Sequence, residues 1–422
     1  MKIAFFLQSK NTPVDFGEKI SFLHIVRTDF FLPKYPNHTE VRYSVKEVIL
    51  MSEMPNESYE ESQRERILSL IAVCGELPAD QICRLPGGER YKQNMIQQLK
   101  KRRQIKTFYK DGLRGYRLLL PTKEMLLGKN PDRFTFYLTG VNETNHIRSE
   151  FIRRLRLHRL AETTVTMLNS GVEVYRDSKP DVFAPTYKPS EITSPTFYNS
   201  REVKELGIEA IKINGARAIG VLLTETEVFS TYNLGDSMME WDYKAEMRFK
   251  AIMQTTICQN RLKYQYSADS IHGLLLGNSM ELAAEMLQRS RNKDYFIFDG
   301  GYEHFYYLTN DRKGERLLSI LCYPDIRQIF YEMMTEDFFR RDPTYPVEND
   351  AIDKDGNPVL IACICDLPRI KRFVNAISTQ KRIGTIIGFD YQKDAIGSLC
   401  PEQIHFQKIS FEKWERSFFH ES

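Results

Sequence analysis

Nine lysine and arginine residues lie between Tyr91 and Arg117, and Asp111 is the only acidic residue among them. The segment carries a local charge of +8, whereas the whole chain of 422 residues carries +3, so the remainder sums to about −5. Positive charge concentrated in one short segment attracts polyanions, because each cation can neutralise a phosphate. We therefore predict a nucleic-acid partner, most simply double-stranded DNA.

Side chains that can read bases are mixed with these cations. Residues 91–102 have helical spacing, with Met95, Ile96 and Leu99 on one face and polar residues on the other. Asn and Gln can bond bidentately to adenine, and Arg or Lys to guanine, in the major groove. Cations on the following hairpin would contact phosphates. The residues expected at DNA are Arg90, Gln93, Asn94, Gln97, Lys100, Lys101, Arg103, Lys106, Lys110, Arg114, Arg117, Arg153 and Arg156.

Three short helices and a hairpin must position these residues. Ser62 and Glu65 have capping-box spacing, and the helix that follows should end at Gly75. The remaining elements predicted are a short helix over Pro78–Leu85, a helix over Tyr91–Arg102, and strands at Ile105–Tyr109 and Tyr116–Leu120 around a Lys110-Asp111-Gly112 turn. This order is typical of a winged helix-turn-helix, and we assign it to residues 62–135. A polar linker and a small β-containing segment, residues 1–55, precede it.

A long helix is predicted from Asn145 to Asn169, with Gly171 after its end. Its first half is strongly basic, and Arg153 and Arg156 would extend the phosphate contacts beyond the hairpin. Winged helices also serve as protein-interaction modules, and basic helix faces are often only solvated. A protein-docking role is therefore an alternative to DNA binding.

A second alternative is a metal-dependent nuclease. Lys179-Pro180-Asp181 and Glu202-Val203-Lys204 match the letters of the PD-(D/E)xK signature, in which two carboxylates hold Mg²⁺ and a lysine positions the attacking water. That chemistry requires the second pair on a strand adjoining the first, but residues 200–207 have the pattern of a short capped helix. The strands in suitable positions, Ala218–Leu223 and Val228–Tyr232, carry no paired Glu and Lys. An active site of Asp181, Glu202 and Lys204 is therefore the less favoured hypothesis.

Strands alternating with helices over residues 145–422 predict an α/β domain, with a subdomain boundary near residue 260 as one option. The whole chain is thus α+β: a winged helix followed by mixed α/β structure, for which a degenerate restriction-endonuclease-like core is one candidate. The predicted elements are strands Val172–Tyr175, Ala218–Leu223 and Val228–Tyr232, a helix Met239–Ile257, a strand Ile271–Leu276, a helix Met280–Arg289, a hairpin Tyr295–Thr309, a helix Asp325–Met334, a strand Val359–Cys365, a helix Leu367–Ser378 and a strand Gly384–Phe389.

Composition narrows the protein class. Seven scattered cysteines without paired Cys-x-x-Cys spacing favour reduced thiols in a cytoplasmic protein over disulfides or structural zinc. No apolar run approaches the length of a membrane span. Asp353-Lys354-Asp355-Gly356-Asn357 begins like a calcium loop but lacks the distal Glu, so a surface turn is expected. We expect no cofactor, apart from Mg²⁺ if the nuclease hypothesis holds.

The chain resembles the replication-relaxation proteins of plasmids and integrative elements. The resemblance rests on Arg66-Ile67-Leu68, the Gln81-Ile82 helix, the end of the helix at Leu99-Lys100-Lys101-Arg102, and Asp181 after a strand. The resemblance covers about the first half of the chain. The chain differs from the family in its N-terminal extension and beyond residue 260. The resemblance implies an accessory DNA-binding protein without chemistry of its own, which works with a relaxase or a replication protein. The oligomeric state stays open, with a homodimer among the options.

Overall fold

The structure is a computed structural model, and it describes residues 62–140, 143, 150–186, 190–207, 215–239, 241–288 and 301–420. All of these belong to one compact unit, Ser52–Ser422. The protein is a mixed α/β protein, with three sheets among the described residues. The predicted segment 1–55, the polar linker and the first residues of the helix predicted from Asn145 lie outside them.

The basic segment lies in a small group of helices around a three-stranded sheet. Ser62 caps the first helix by accepting a hydrogen bond from the Glu65 amide at 3.3 Å, and Gly75 ends that helix with a φ of 86°, both as predicted. Strands β2 and β3 form an antiparallel hairpin, and β1 pairs with the outer side of β3. The elements are α1 Gln63–Cys74, β1 Leu77–Pro78, a 3-10 turn Asp80–Arg84, α2 Glu89–Lys101, β2 Ile105–Lys110 and β3 Leu113–Leu118.

Helix α5, Phe151–Asn169, joins this group to the rest of the protein. It packs against α1, β1 and β3 on one side and against strand β6, Val228–Gly235, on the other. Ser170 closes the helix, and Gly171 follows with a φ of 79°, which confirms the predicted end. Two short helices precede α5: α3 Leu120–Lys129 and α4 Pro131–Leu138.

The first five-stranded sheet has its strands in chain order, β4 to β8. Strand β5 is antiparallel to both β4 and β6, whereas β6, β7 and β8 run parallel to one another. The elements are β4 Thr196–Asn199, α6 Ser200–Val203, β5 Gly220–Leu223, β6, α7 Tyr243–Met253, β7 Ile271–Gly277, α8 Met280–Gln288, β8 Phe305–Thr309, α9 Arg312–Cys322 and α10 Pro324–Met334. Helix α7 continues as a π-helix over Gln254–Arg261.

The second five-stranded sheet contains three parallel strands, β11, β12 and β13, with the short antiparallel strands β10 and β9 at its edge. Both large sheets contribute to one apolar core, which includes Leu275, Tyr307, Leu360 and Ile386. The elements are β9 Phe339–Arg340, β10 Ala351–Ile352, β11 Pro358–Ile361, α11 Leu367–Gln380, β12 Gly384–Phe389, α12 Lys393–Gly397, β13 Ile404–Ile409 and α13 Phe411–His420. No helix among the described residues is both long and apolar enough to cross a bilayer.

Several sequence predictions were wrong in detail. Residues 172–175 form no strand and contribute only an isolated bridge from Glu173 to Thr196. Strand β8 pairs in parallel with β7, and the first part of the hairpin predicted over Tyr295–Thr309 lies outside the described residues. Strand β4, helix α9, strand β13 and helix α13 were not predicted.

Candidate nucleic-acid interface

Helix α2 separates an apolar face from a polar one. Lys92, Ile96 and Leu99 are buried and Met95 is half-buried. The opposite face is open to solvent, and on it the Gln93 amide donates a hydrogen bond to the Glu89 carboxylate at 3.0 Å. Its exposed residues are Arg90, Gln93, Asn94, Gln97 and Lys101, all of them predicted DNA contacts.

Lys92 is a cation that sequence analysis counted with the basic surface, but its amine is buried. It donates hydrogen bonds to the carbonyl oxygens of Cys83, at 2.6 Å, and Leu85, at 2.8 Å. These bonds fix the 3-10 turn against α2, because the end of that turn supplies carbonyls that helix geometry leaves unsatisfied. Lys92 therefore positions the helix and does not face a ligand.

The hairpin presents three exposed cations, Lys106, Lys110 and Arg114. Its turn residues, Asp111 and Gly112, have φ values of 53° and 78°, and the strands close with Lys110 opposite Leu113. Positive φ at both central residues is what a two-residue type I′ turn requires. The turn thus projects Lys110 and Arg114 at the tip of the hairpin.

Lys100 links the helix to the hairpin. Its amine lies 5.1 Å from the centre of the Tyr116 ring on β3. Desolvation lowers the pKa of Lys100, and the nearby charge of Arg114 lowers it further. The exposed Arg103, with a φ of 54°, lies in the turn between α2 and β2. The end of α2 is therefore close to Arg114 of the hairpin, whereas Lys106 and Lys110 lie on the other face of the hairpin.

Arg117, a predicted phosphate contact, is buried instead. Its side chain lies 2.6 Å from the Glu76 carboxylate, and its guanidinium stacks 4.0 Å from the Phe108 ring centre. Residues Gly115–Leu118 of β3 are all buried, so both faces of this part of the strand are covered, and Arg117 lies on the face that packs against Glu76 and Phe108. The prediction that Arg117 contacts DNA is therefore wrong on geometry.

Glu76 is the centre of a buried ionic cluster. Its carboxylate is fully buried and pairs with Arg154 of α5 at 2.5 Å, with Arg117 and with His158 at 2.9 Å. Burial alone would raise the pKa of Glu76. Hydrogen bonds from His158, Arg154 and Arg117 outweigh that effect and lower the pKa to about 2. The carboxylate is therefore ionised throughout the neutral range.

Arg154 attaches the hairpin to α5. Its guanidinium is also fully buried, and it donates hydrogen bonds to the backbone carbonyl oxygens of Lys110, at 2.8 Å, and Leu113, at 3.1 Å. These carbonyl oxygens are further acceptors for the Arg154 guanidinium, in addition to the Glu76 carboxylate. A Cβ atom on Gly115 would lie 2.4 Å from Glu76 Oε1, so glycine is required there. The hairpin thus has one fixed position on α5.

The basic half of α5 divides into two faces. Arg154 is buried in the cluster, whereas Arg153 and Arg156 are exposed. Arg153 pairs with Glu150 at 2.9 Å in an exposed i,i+3 pair, which contributes little to stability. The two predicted contacts on this helix are therefore accessible.

The predicted nuclease residues do not assemble into a metal site. Glu202 is buried, and its carboxylate binds the Lys179 amine at 2.9 Å and accepts the Asn199 amide hydrogen bond at 2.9 Å. Asp181 lies 3.1 Å from Arg176, with 59% of its side chain exposed. Lys204 is exposed after the short helix α6. Glu202 is thus engaged in a capping box and a buried ion pair, which leaves no carboxylate pair for Mg²⁺.

The strands with suitable geometry also lack the required residues. Strands β5 and β6 are adjacent and antiparallel, as the metal chemistry requires, but their sequences contain no Asp, Glu or Lys. Among the described residues, no group of three or more His, Cys, Asp or Glu side chains has the arrangement of a metal site. The donor set that Mg²⁺ prefers is therefore not assembled in this part of the chain.

The chain was compared with protein-family models, with curated proteins and with solved structures. None of the three comparisons found a match.

Proposed function

We propose that residues 62–135 form a winged helix that binds double-stranded DNA, with α2 in the major groove and the β2–β3 hairpin along the backbone. The observation that carries the proposal is the exposed face of α2, which combines Asn94 and Gln97 with Arg90 and Lys101. Amides and cations on one helix face match the donor and acceptor pattern of base edges. Phosphate contacts by Lys106, Lys110 and Arg114 would set the register of the helix on the duplex.

The arrangement of elements supports the winged-helix assignment. A helix, a short strand, a 3-10 turn, a second long helix and a hairpin follow one another, and the sheet has the order β1-β3-β2. In helix-turn-helix proteins the later, recognition helix enters the major groove. Here α2 has the exposed polar face, whereas most of α1 is buried. Helix α2 is therefore the recognition helix of the proposal.

The wider role that we propose follows the resemblance to replication-relaxation proteins. In that role the protein is an accessory of a mobile genetic element, acts in the cytoplasm on an origin or promoter, and works with a relaxase or replication protein. We include in this proposal the degenerate nuclease-like core that the resemblance implies. DNA binding without cleavage would be the contribution of such a core.

Selection of bound duplexes from a random DNA pool tests the proposal. We expect an enriched sequence motif, and we expect Asn94→Ala with Gln97→Ala to remove or relax it while the protein stays folded. The control replaces Arg341 and Arg416, exposed cations in the α/β region, by Gln and should return the original motif. No retention of duplex DNA at low salt would contradict the proposal and favour protein docking by the same module.

A further inference from the structure

A second group of cations lies outside the winged-helix module, and we define it as the basic patch: Arg156, Arg159, Lys204 and Arg217. Arg156 and Arg159 come from α5, Lys204 follows α6, and Arg217 precedes β5. Arg156, Lys204 and Arg217 are exposed, and Arg159 is half-buried. These three chain segments come together at one end of strands β4, β5 and β6 of the first large sheet.

One side-chain hydrogen bond and two backbone hydrogen bonds bring these segments together. The Asn233 side chain at the end of β6 donates to the Arg159 carbonyl oxygen at 3.1 Å, which places α5 at that strand end. The Ile219 amide donates to the Thr231 carbonyl oxygen at 2.8 Å, so Arg217 flanks the same end of β6. The Ser200 amide donates to the Ile219 carbonyl oxygen at 2.8 Å, which brings the start of α6 beside it.

The face of α5 that carries the patch is opposite to the buried cluster. At 100° per residue, Arg156 lies about 200° around the helix from Arg154, and Arg153, Arg156 and Arg159 follow one another at i,i+3 spacing. Arg154 binds the hairpin, whereas Arg153, Arg156 and Arg159 lie along about 9 Å of the helix axis. The helix therefore connects the proposed DNA-binding module directly to the patch.

The cations of the basic patch repel one another. Within the described parts of the chain, no carboxylate forms an ion pair with Arg156, Lys204 or Arg217. Desolvation lowers the pKa of Lys204, and the charges of Arg156 and Arg201 lower it further. The pKa of Arg156 is lowered in the same way, by desolvation and then by Arg217. Like charges held together at a cost in stability are typical of an anion-binding site.

Nearby carboxyl groups do not fully compensate this charge. Glu246 accepts the Arg217 backbone amide at 2.6 Å, and Glu162 lies one turn beyond Arg159. Burial raises the pKa of each carboxyl to about 7. Near neutrality each is therefore only partly ionised. Asp236, exposed at the end of β6, accepts a hydrogen bond from Asn278 at 2.7 Å and is the remaining acid beside Arg159.

We propose that the basic patch is a second phosphate-binding site, on the α/β region, that holds the backbone of the same DNA duplex beyond the footprint of the winged helix. The proposal rests on the proposed function, because the winged helix selects and orients the duplex. Guanidinium groups suit this role, since their planar donors bind phosphate bidentately. The patch also gives the α/β region a contribution to binding that requires no metal.

The experiment measures the affinity of the full chain for a duplex of about 30 base pairs as a function of salt, with a patch variant that carries Arg156→Gln, Lys204→Gln and Arg217→Gln. Each phosphate contact contributes about 0.9 to the slope of log K against log salt. We expect the slope of the patch variant to be shallower by about 2 to 3. A matched variant with Arg341→Gln, Lys354→Gln and Arg416→Gln removes three exposed cations elsewhere and should keep the wild-type slope.

Three results would overturn the inference. Equal slopes for wild type, patch variant and control would remove the patch from the interface while leaving the proposed function intact. A wild-type protein that does not bind the duplex would contradict both this inference and the proposed function. Saturable binding of inorganic phosphate or ATP that is lost in the patch variant, with an unchanged DNA slope, would assign the patch to a free phosphate ligand. Thermal melting of each variant checks that the fold is retained.

Discussion

Arg154 and Glu76 form a fully buried ion pair that connects helix α5 to the segment between α1 and β1. The same guanidinium binds carbonyl oxygens at both ends of the hairpin turn. A displacement of the hairpin tip would take these acceptors away from the buried Arg154 guanidinium, which is costly. The cluster therefore holds the hairpin and α5 as one body and presents their cations in a fixed arrangement.

We predict that Glu76→Ala destabilises the protein by about 3–5 kcal/mol, because it removes the carboxylate that pairs with the fully buried Arg154 guanidinium. Chemical denaturation measures the change in the free energy of unfolding. The matched control is Glu150→Ala, which removes the carboxylate from the exposed Arg153 pair and should cost less than about 1 kcal/mol. Equal costs for the two variants would mean that the buried cluster does not hold the fold.

We predict that Gln97→Ala relaxes sequence preference, whereas Lys110→Ala weakens binding to every duplex about equally. Gln97 lies on the exposed face of α2, where an amide can bond to a base edge, and Lys110 lies at the hairpin tip, where it can reach only the backbone. Affinities for a selected site and for a scrambled site measure both effects. Identical affinity ratios in the two variants would show that α2 does not read bases.

We predict that Glu202→Ala destabilises the protein by about 3–5 kcal/mol, since it leaves the buried Lys179 amine unpaired. Asp181→Ala, at an exposed position, should cost less than about 1 kcal/mol. Thermal and chemical unfolding compare the two variants. Incubation of plasmid with Mg²⁺ or Mn²⁺ completes the test, because wild-type cleavage that disappears in Asp181→Ala would restore the nuclease hypothesis.

The pH dependence of stability should depend on Glu162. Desolvation raises the pKa of this carboxyl, with a further contribution from Asp80, to about 7. Between the pKa of an unfolded glutamate, about 4.3, and 7 the folded state keeps a proton that the unfolded state has lost, so stability falls as pH rises through this window. Glu162→Gln should therefore gain on the order of 1–3 kcal/mol relative to wild type between pH 5 and pH 8. A constant difference between the two proteins across that range would refute the assignment.

Local signals in the sequence predicted the elements around the basic segment. The Ser62 cap, the Gly75 end and the Asp111-Gly112 turn each specify a backbone conformation within a few residues, so the first helix and the hairpin turn were placed correctly. The helix predicted over Pro78–Leu85 was wrong, because this segment forms the end of β1 and a 3-10 turn. Strand β4 spans only four residues, Thr196–Asn199, and its pairing with β5 depends on residues more than 20 positions away. No local pattern encodes such a partner.

The same limit explains which site residues were misassigned. Net charge and periodicity identified the basic segment, but they could not show that Arg117, a predicted DNA contact, is buried. Lys92, which was counted in the charge of the segment and was not a predicted contact, is buried as well. Each of these two cations is buried against a partner that the sequence does not mark: the carbonyls of the 3-10 turn for Lys92, and Glu76 for Arg117. The basic patch was missed for a related reason, since Lys204 and Arg217 approach α5 only through the pairing of β5 with β6.

The most direct measurement of the central claim is the salt dependence of duplex affinity for the wild-type protein and for a hairpin variant with Lys106→Gln, Lys110→Gln and Arg114→Gln. If α2 and the hairpin bind DNA, log K for the wild type falls steeply with log salt, and the slope of the variant is shallower by about 2 to 3 because three phosphate contacts are lost. A wild-type affinity that does not change with salt, or an unchanged slope in the hairpin variant, would contradict the proposed interface.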